Sequence, residues 1–354
     1  MAKSRIENRS RMHVALLVDQ ETLLPSASTV LCPRNGKVER HVAATLRSLG
    51  HSVSVVALDT SLAGTLRELA ARGPHIVFNL TEHYQGSRER DFFVAQMLEQ
   101  SGLAFTGTSS DGLAVCRDKS ASKYLAGAAD VAVPVHAVWA PGRDAELAGL
   151  PYPCVVKPLR GDGGELIAQA SLVSDCEQAR RRAEYVWHRT KQPAIVEEYI
   201  HGDEYSVTVT AEDARLVRVW SITRLEIPST ARVALVTSAV KHDDAFRRRH
   251  RICYRSATPL EPVVHANLLA AAEATTQALG IDGYARLEFR VRAGRAWLIE
   301  ANPNHNLNRF SQSTPYRSFG HDLFIAEVLR LGMARHGRLR PVTRAAALSP
   351  KTAT

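Results

Sequence analysis

The chain has 354 residues, of which 45% are hydrophobic and 23% are charged, and its formal net charge is +9. This length suffices for two or three domains with their own cores, and the composition is that of an ordinary globular protein. The basic balance suits phosphates or acidic substrates. No aromatic-interleaved basic motif supports nucleic-acid binding, so no nucleic-acid partner is expected.

Five cysteines occur, and none forms a C-x-x-C pair. Their odd number and spacing argue against a disulfide framework or a zinc site and indicate a reducing, cytoplasmic location. No run of about 18 apolar residues exists, so neither a membrane span nor a membrane partner is expected. Residues 1–11 lack an apolar signal core and are predicted to be a frayed arm, and 339–354 a flexible tail. A homodimer is left open.

The first part of the chain alternates apolar runs with amphipathic segments. Strands are predicted at 13–18, 52–57 and 75–80, and helices at 37–49, 61–72 and 89–101. Strand–helix alternation of this kind predicts a parallel sheet covered on both faces. We therefore expect an N-terminal α/β domain over 12–115.

After residue 115 the pattern becomes α+β. Helices are predicted at 118–129 and 175–190, strands at 154–158 and 194–200, and a hairpin partner for the second strand at 204–209. Domain boundaries are expected near 115 and 196, which gives a central domain, 116–196, and a C-terminal domain, 197–338. Region 224–258 has a weak pattern and predicts a long loop, either a basic lid or a solvated segment.

Two alternating segments, 284–290 and 297–302, are joined by a short link that contains Gly294. Alternation with period two is typical of a half-buried strand, and the glycine suits a hairpin turn. We therefore expect an antiparallel hairpin centred on Gly294.

In that register, Glu288 lies opposite Glu300 and Arg286 opposite Asn302, with all four side chains on one face. Directly opposed carboxylates repel each other unless a cation lies between them. Carboxylate and amide oxygens are ligands that suit Mg²⁺. An isolated hairpin of this kind more often has a solvated face. The pattern therefore favours a metal-binding site only if neighbouring motifs support one.

Other segments are ambiguous when taken singly. Lys157 precedes a glycine-rich loop, 158–164, which suits phosphate binding or a plain corner between strands. Glu197 and Glu198 fall on opposite faces of their strand, which fits a purine site or an amphipathic edge strand. Lys119 and Lys123, one helical turn apart, fit a helix N-terminus with a solvated face.

Taken together, five motifs occur in a fixed order. They are a lysine at a helix start (119), Val-Val-Lys-Pro with a glycine-rich loop (155–164), Val-Glu-Glu-Tyr-Ile-x-Gly-x-Glu (196–204), Ala-Arg-Leu-Glu-Phe (285–289) and Ile-Glu-Ala-Asn-Pro (299–303). This series resembles the ATP-grasp superfamily and, within it, the D-alanine–D-alanine ligase-like group. The likeness spans about 12–335 and implies a three-domain architecture, in which an α/β domain precedes two α+β domains that clasp ATP.

The resemblance implies a role for each matching residue. The residues implied in ATP binding are Lys119, Lys157, Gly161, Gly163, Gly164, Glu197, Glu198, Ile200, Glu204 and Lys241. Two Mg²⁺ ions, replaceable by Mn²⁺, would be held by Glu288, Glu300 and Asn302. Arg286 would stabilise an oxyanion. The residues implied in substrate binding are Ser311, His83, Asn306 and Arg309.

The chain departs from the ligase pattern in places. Gly163 and His242 stand where those ligases have a serine and a tyrosine, and 19–22 lacks their Gly-Gly pattern. Residues 305–309 replace the usual small residues after Asn302. The expectation is therefore an intact nucleotide site beside a rebuilt amino-acid pocket, and a product other than D-Ala–D-Ala.

The function that these expectations favour is an ATP-dependent carboxylate–amine ligase acting on amino acids or small peptides through an acylphosphate. A phosphotransferase on the same fold and a non-catalytic nucleotide-binding module are the alternatives. The retained acidic and lysine residues argue against the module.

Overall fold

The structure is a computed structural model that describes residues 11–25, 27–161, 164, 166–228, 235–257 and 259–339. Its strands are β1 (His13–Val18), β2 (Leu23–Leu24), β3 (Ala27–Leu31), β4 (Ser52–Ala57), β5 (Ile76–Asn79), β6 (His136–Trp139), β7 (Cys154–Pro158), β8 (Leu172–Val173), β9 (Ala194–Glu198), β10 (Asp203–Glu212), β11 (Leu216–Glu226), β12 (Cys253–Ser256), β13 (Gly283–Arg292) and β14 (Arg295–Pro303).

The helices connect these strands and cover their faces. They are α1 (Lys37–Ser48), α2 (Leu62–Arg72), α3 (Asp91–Ser101), α4 (Ser110–Arg117), α5 (Lys119–Ala128), α6 (Cys176–Thr190), α7 (Ser238–His242), α8 (Asp244–His250), α9 (Pro262–Ala278), α10 (Tyr316–Phe319) and α11 (His321–Leu339).

The first sheet is parallel and has the order β4–β1–β5, as the alternating pattern predicts. Leu16 of β1 packs with α1 on one face, and Leu17 packs with α2 and α3 on the other. Successive strand residues point to opposite faces, so the continuous apolar run of β1 is buried on both sides. The short β2–β3 pair was not predicted. The last helix, α11, also packs on the α1 face.

The second sheet has the order β6–β9–β7–β8, and α6 covers it. In it β9 pairs with β6 and β7, so the prediction that 204–209 forms its hairpin partner is wrong. The chain instead turns sharply at Gly202, where a Cβ would lie 1.9 Å from the carbonyl oxygen of Val291. That turn carries the chain from β9 into a different sheet.

The third sheet is antiparallel, with the order β12–β11–β10–β13–β14, and α9 packs against it. Here β10 is central, between β11 and β13. Tyr205, Val207 and Val209 enter the hydrophobic core, and the polar side chains between them are buried as well. Both edges of β10 are thus paired within the third sheet, and neither is available to β9.

The β13–β14 hairpin has the predicted pairs, with Glu288 opposite Glu300 and Arg286 opposite Asn302. Its turn is Ala293–Gly294, and both residues have positive φ, 50° and 77°. A two-residue turn of this type matches the natural twist of a hairpin. The register shifts by one residue next to Glu288, so Ile299 is an extra residue in β14.

The segment predicted as a weakly structured loop is largely regular where it is described. The end of β11, both short helices α7 and α8, and strand β12 lie in it. The prediction of a long loop is therefore wrong for these residues. Arg247, from the basic run, is buried and donates to the carbonyl oxygens of Val240 (2.7 Å) and Lys241 (2.8 Å).

All five cysteines are free thiols. Among the residues described, no helix combines the length and the apolarity that a bilayer crossing requires.

Candidate active site

The face of the β13–β14 hairpin gathers the predicted polar residues. Arg286 Nε lies 2.6 Å from Glu288 Oε1, and its Nη1 lies 3.2 Å from the Ser313 hydroxyl. Ser206, from the neighbouring strand β10, donates to the other oxygen of Glu288. The glutamate is therefore fixed from two sides, and the solvated face weighed in the sequence analysis is not what the structure has.

Lysines from two other elements converge on Glu300. Lys119 Nζ, at the start of α5, lies 3.7 Å from Glu300 Oε1, and Lys241 Nζ, in α7, lies 3.5 Å from Oε2. Burial alone would raise the pKa of the Glu300 carboxyl, but the positive charges of Lys241, Lys119, Lys157 and Lys123 together hold it far below its ordinary value. Glu300 is consequently held in its ionised form by the surrounding lysines.

A second charged group lies beneath this one. Lys157 Nζ is 2.5 Å from one oxygen of Glu197, and Lys123 Nζ is 3.0 Å from the other. Burial would raise the pKa of Glu197, yet the two lysines lower it. Glu197 thus orients Lys157, and its carboxylate is occupied by lysines.

Lys123 was weighed only as a solvated residue, but it is 1% exposed. Besides Glu197, its ammonium contacts the carbonyl oxygen of Ile299 at 2.8 Å. Ile299 is the extra residue of β14, so Lys123 ties the bulge to the central domain. A signal for this role existed in the spacing, because Lys123 lies one helical turn after Lys119 on the same face.

A cleft between the second and third sheets is lined by Lys157, Lys241 and both hairpin glutamates. Four further residues that the resemblance implies in ATP binding also line it: Glu197, Glu198, Ile200 and Glu204. Glu204 pairs with Arg290 at 3.1 Å, and Arg290 also donates to the carbonyl oxygen of Ile200 at 3.0 Å. Glu198 pairs with Arg292 at 2.8 Å. The partners Arg290 and Arg292 were not predicted.

The glycine-rich loop lies above the same lysines. Lys119 Nζ donates to the carbonyl oxygen of Gly161 at 2.6 Å, and Gly161 and Gly164 line a small space with Lys119, Lys157 and Glu300. Both glycines have positive φ, 94° and 75°. Such backbone is open to glycine at little cost. Gly163 lies outside the described residues.

The hairpin residues fit divalent cations. Glu288, Glu300 and Asn302 supply two carboxylates and an amide, which is the hard oxygen set that Mg²⁺ or Mn²⁺ takes. Asn302 is buried, and within the described residues its amide nitrogen has no hydrogen-bond partner. The ligand atom would be the amide oxygen of Asn302, which with the two opposed carboxylates makes an all-oxygen set that suits a divalent cation.

The substrate residues predicted from the resemblance lie in different places. Ser311 is 3.3 Å from Ser313, the partner of Arg286, so it lies near the hairpin. Asn306 is exposed and accepts from the backbone of Asn308. Arg309 is exposed and lines a separate cleft of about 590 Å³ between α1 and α11.

His83 lies at the edge of the first sheet, beside two carboxylates. Its Nδ1 is 3.3 Å from Asp19 and 3.4 Å from Glu21. Both acids belong to the stretch that the sequence analysis noted only as a departure from the ligase pattern.

His305, in the segment that departs from the family pattern, is buried. Its Nε2 lies 3.2 Å from the Tyr316 hydroxyl, and burial lowers its pKa well below the ordinary value, so the ring is neutral. Its ring also contacts Tyr284 edge-on, with 5.3 Å between the ring centroids.

Comparison with known proteins places these features in context. The model of the ATP-grasp domain matches residues 116–306. A D-alanine–D-alanine ligase of Anaeromyxobacter sp. is 29% identical over 268 residues, which cover 73% of this chain and 77% of that protein. One from Gluconobacter oxydans is 30% identical over 256 residues, 72% of this chain and 78% of that protein.

Solved structures agree in fold. The D-alanine–D-alanine ligase from Bacillus anthracis, complexed with ATP, superposes with a TM-score of 0.69 at 16% identity, covering 92% of this chain and 99% of that chain. The VanG D-Ala:D-Ser ligase from Enterococcus faecalis gives a TM-score of 0.66 at 16% identity and covers 91% and 99%.

Proposed function

This chain belongs to the ATP-grasp superfamily and is a carboxylate–amine ligase of the D-alanine–D-alanine ligase type. We propose that it joins an amino acid or small peptide to an amine through an acylphosphate. The observation that carries the proposal is the convergence of Lys119 and Lys241 on Glu300, which lies opposite Glu288 in the hairpin. Cations that surround an ionised carboxylate in a cleft are suited to binding the phosphates of ATP with a metal.

In the first step, the carboxylate oxygen of one substrate attacks the γ-phosphorus of ATP, a C–O–P linkage forms, and ADP leaves. Lys119, Lys157 and Lys241 neutralise the phosphate charge and hold the reacting groups in line. Mg²⁺ held by Glu288, Glu300 and Asn302 would add charge neutralisation at the same phosphates.

In the second step, the amine nitrogen attacks the acyl carbon, phosphate leaves with the electrons of the C–O bond, and the nitrogen loses one proton. Negative charge develops on the carbonyl oxygen as the amine attacks. Arg286, fixed by Glu288 and Ser313, is oriented to stabilise that oxygen.

We further propose that the product is not D-Ala–D-Ala. Two observations support this proposal. The acidic residues Asp19 and Glu21 lie beside His83, and the bulky residue His305, which follows β14, is buried. These side chains give the substrate end of the site a different shape and charge from a pocket built of small residues.

The test is ATP turnover with a panel of amino acids in the presence of hydroxylamine, which traps an acylphosphate as a hydroxamate. ADP and hydroxamate in equal amounts would support the ligase. ADP release without hydroxamate or amide would indicate a phosphotransferase. Binding of Mg-ATP without turnover on any acid would favour a non-catalytic module.

A further inference from the structure

An acidic cluster, made of Asp19, Glu21, Glu39 and Glu82, lies where β1 and β5 end. Asp19 follows β1, Glu82 follows β5, and Glu39 is in the first turn of α1. The carboxyl ends of neighbouring parallel strands form the crevice in which open α/β sheets bind ligands. The cluster is therefore placed as a binding site, although none of its members belongs to the nucleotide machinery.

Asp19 is held in a fixed position. It is 6% exposed, and its Oδ2 accepts the backbone N–H of Glu82 at 2.7 Å and lies 3.3 Å from His83 Nδ1. That ring nitrogen is also 3.4 Å from Glu21, so ligand atoms of three residues lie within 4.8 Å of one another. The carboxylates thus converge on one point.

Glu39 gives an independent indication that this region binds a ligand. It is 8% exposed, and its Oε2 is buried without a hydrogen-bond partner among the described residues. Burial, together with the negative charges of Glu82 and Asp19, raises the pKa of its carboxyl to about 7. A buried carboxyl group without a partner is unfavourable in the free protein, so this oxygen is suited to a positively charged ligand.

The arginines near the cluster bind groups other than Asp19 and Glu39. Arg88 pairs with Glu82 at 2.7 Å, while the guanidinium of Arg40 donates to backbone carbonyls. Within the described part of the chain, neither Asp19 nor Glu39 has an ion pair with lysine or arginine. Two carboxyl groups consequently remain for a ligand to neutralise.

The cluster adjoins the reacting end of the hairpin. Tyr284, Arg286 and Glu288 share one face of β13. Tyr284 packs in the same hydrophobic core cluster as Val18, at the end of β1, and Val42 of α1, so this end of the row lies against the elements that carry Asp19 and Glu39. Tyr284 and Arg286 are two residues apart, about 7 Å along the strand. An amino acid with a long side chain spans such a distance.

We propose that the acidic cluster binds an amino-acid substrate that carries two positive charges, its α-ammonium and a second ammonium or a guanidinium on the side chain. This inference rests on the proposed ligase function and names its substrate class. Neither Asp19 nor Glu39 has an ion pair with lysine or arginine among the described residues, and a single ammonium would balance only one of these two carboxyl groups. Lysine, ornithine and arginine, free or at the end of a short peptide, have the required charges and length.

The experiment compares cationic amino acids with neutral analogues of matching shape on the full chain. Arginine is paired with citrulline and lysine with norleucine, each as both enantiomers. ADP release measures turnover, and the thermal shift without ATP measures binding. The expected result is a kcat/KM at least tenfold higher, and a larger thermal shift, for the cationic member of each pair. Equal values for both members would overturn the inference.

Variants separate the cluster from the nucleotide site. Glu39→Gln and Asp19→Asn are expected to raise the KM for the cationic amino acid at least tenfold and leave the KM for ATP unchanged. Glu68→Gln, an exposed carboxylate of α2 in the same domain, is the matched control and is expected to change neither. An unchanged KM for the cationic amino acid in Glu39→Gln would contradict the inference. This variant leaves Asp19 and its hydrogen bonds intact.

Two further outcomes are distinguishable. Binding of arginine or lysine without ADP release would overturn the ligase function while upholding the cluster as a dication site. A thermal shift with Mn²⁺ or Zn²⁺ alone that His83→Ala abolishes, with none from the cationic amino acids, would show that the cluster is a metal site and overturn the inference.

Discussion

Glu288 and Glu300 lie directly opposite each other because Ile299 is an extra residue in β14. The two-residue turn pairs Arg292 with Arg295, and in a ladder without the bulge Glu288 would face Ile299. The bulge moves Glu300 into register and frees the Ile299 carbonyl oxygen to accept from Lys123. The bulge that aligns the two carboxylates is therefore in direct contact with Lys123, a buried lysine of α5.

Replacing Lys123 with methionine should disturb this register without removing a metal or phosphate ligand. We expect ADP formation to fall at least tenfold and the Mg²⁺ concentration for half-maximal rate to rise, because Glu300 and Lys157 each lose a fixed neighbour. Circular dichroism checks the fold. Lys191→Met, at an exposed lysine, is the control and should retain both values. An unchanged Mg²⁺ dependence in a folded Lys123→Met variant would show that the contact is merely structural.

The cross-strand pairs of the β13–β14 hairpin were predicted from the sequence, but its turn and its bulge were not. Alternation around Gly294 predicted both cross-strand pairs, and the structure has them. The prediction assumed one central glycine, whereas the structure has a two-residue turn and a compensating bulge. The interrupted alternation at Leu298–Ile299 is the trace of the bulge, but the contact of Lys123 with the Ile299 carbonyl oxygen joins residues far apart in the chain and is not visible in a local pattern.

Arg286→Lys tests the role of the arginine in the second step. Lysine retains the charge but cannot hold Glu288 and Ser313 together through a planar fork. We expect kcat to fall roughly 100-fold, the scale of losing an oxyanion donor, with the KM for ATP within about twofold of wild type. Rapid-quench analysis should show that the acylphosphate still forms. A variant that alters only the KM for ATP would assign Arg286 to nucleotide binding.

Gly202→Ala tests how the chain passes between two sheets. Its φ of 143° and the 1.9 Å approach of a Cβ to the Val291 oxygen leave no room for a side chain. We expect the free energy of unfolding to fall by about 2 kcal/mol, measured by urea denaturation. Gly149→Ala, where a Cβ meets no atom within 4 Å, should be close to neutral. Equal stability of the two variants would contradict this account of the turn.

The prediction that 204–209 pairs with β9 is wrong because an alternating pattern does not specify strand partners. Alternation identified 204–209 as a strand but could not say which neighbours it has. The polar side chains on its other face, Ser206 and Thr208, are buried as well, and only the structure shows this burial. Likewise, the burial of Lys123 ran against the usual exposure of lysine.

Glu39→Gln should change how stability depends on pH. Burial, aided by Glu82 and Asp19 and opposed by Arg40, raises the pKa of the Glu39 carboxyl from 4.5 to about 7. Its contribution to stability is therefore complete below pH 4.5 and is lost as the pH rises through 7, by up to about 3 kcal/mol. The glutamine variant should match wild type at pH 4.5 and exceed it at pH 8. Parallel pH profiles for the two proteins would be the contrary result.

The most direct test of the central claim is the amount of ADP and of trapped hydroxamate formed by wild type and by Glu300→Gln. The account predicts equal amounts of both products in wild type and a loss of at least 100-fold in the variant, because the amide cannot balance Lys119 and Lys241 or serve as an anionic metal ligand. Glu226→Gln, which alters a glutamate paired with Arg255 away from the site, should retain activity. Full activity in a folded Glu300→Gln protein would contradict the account.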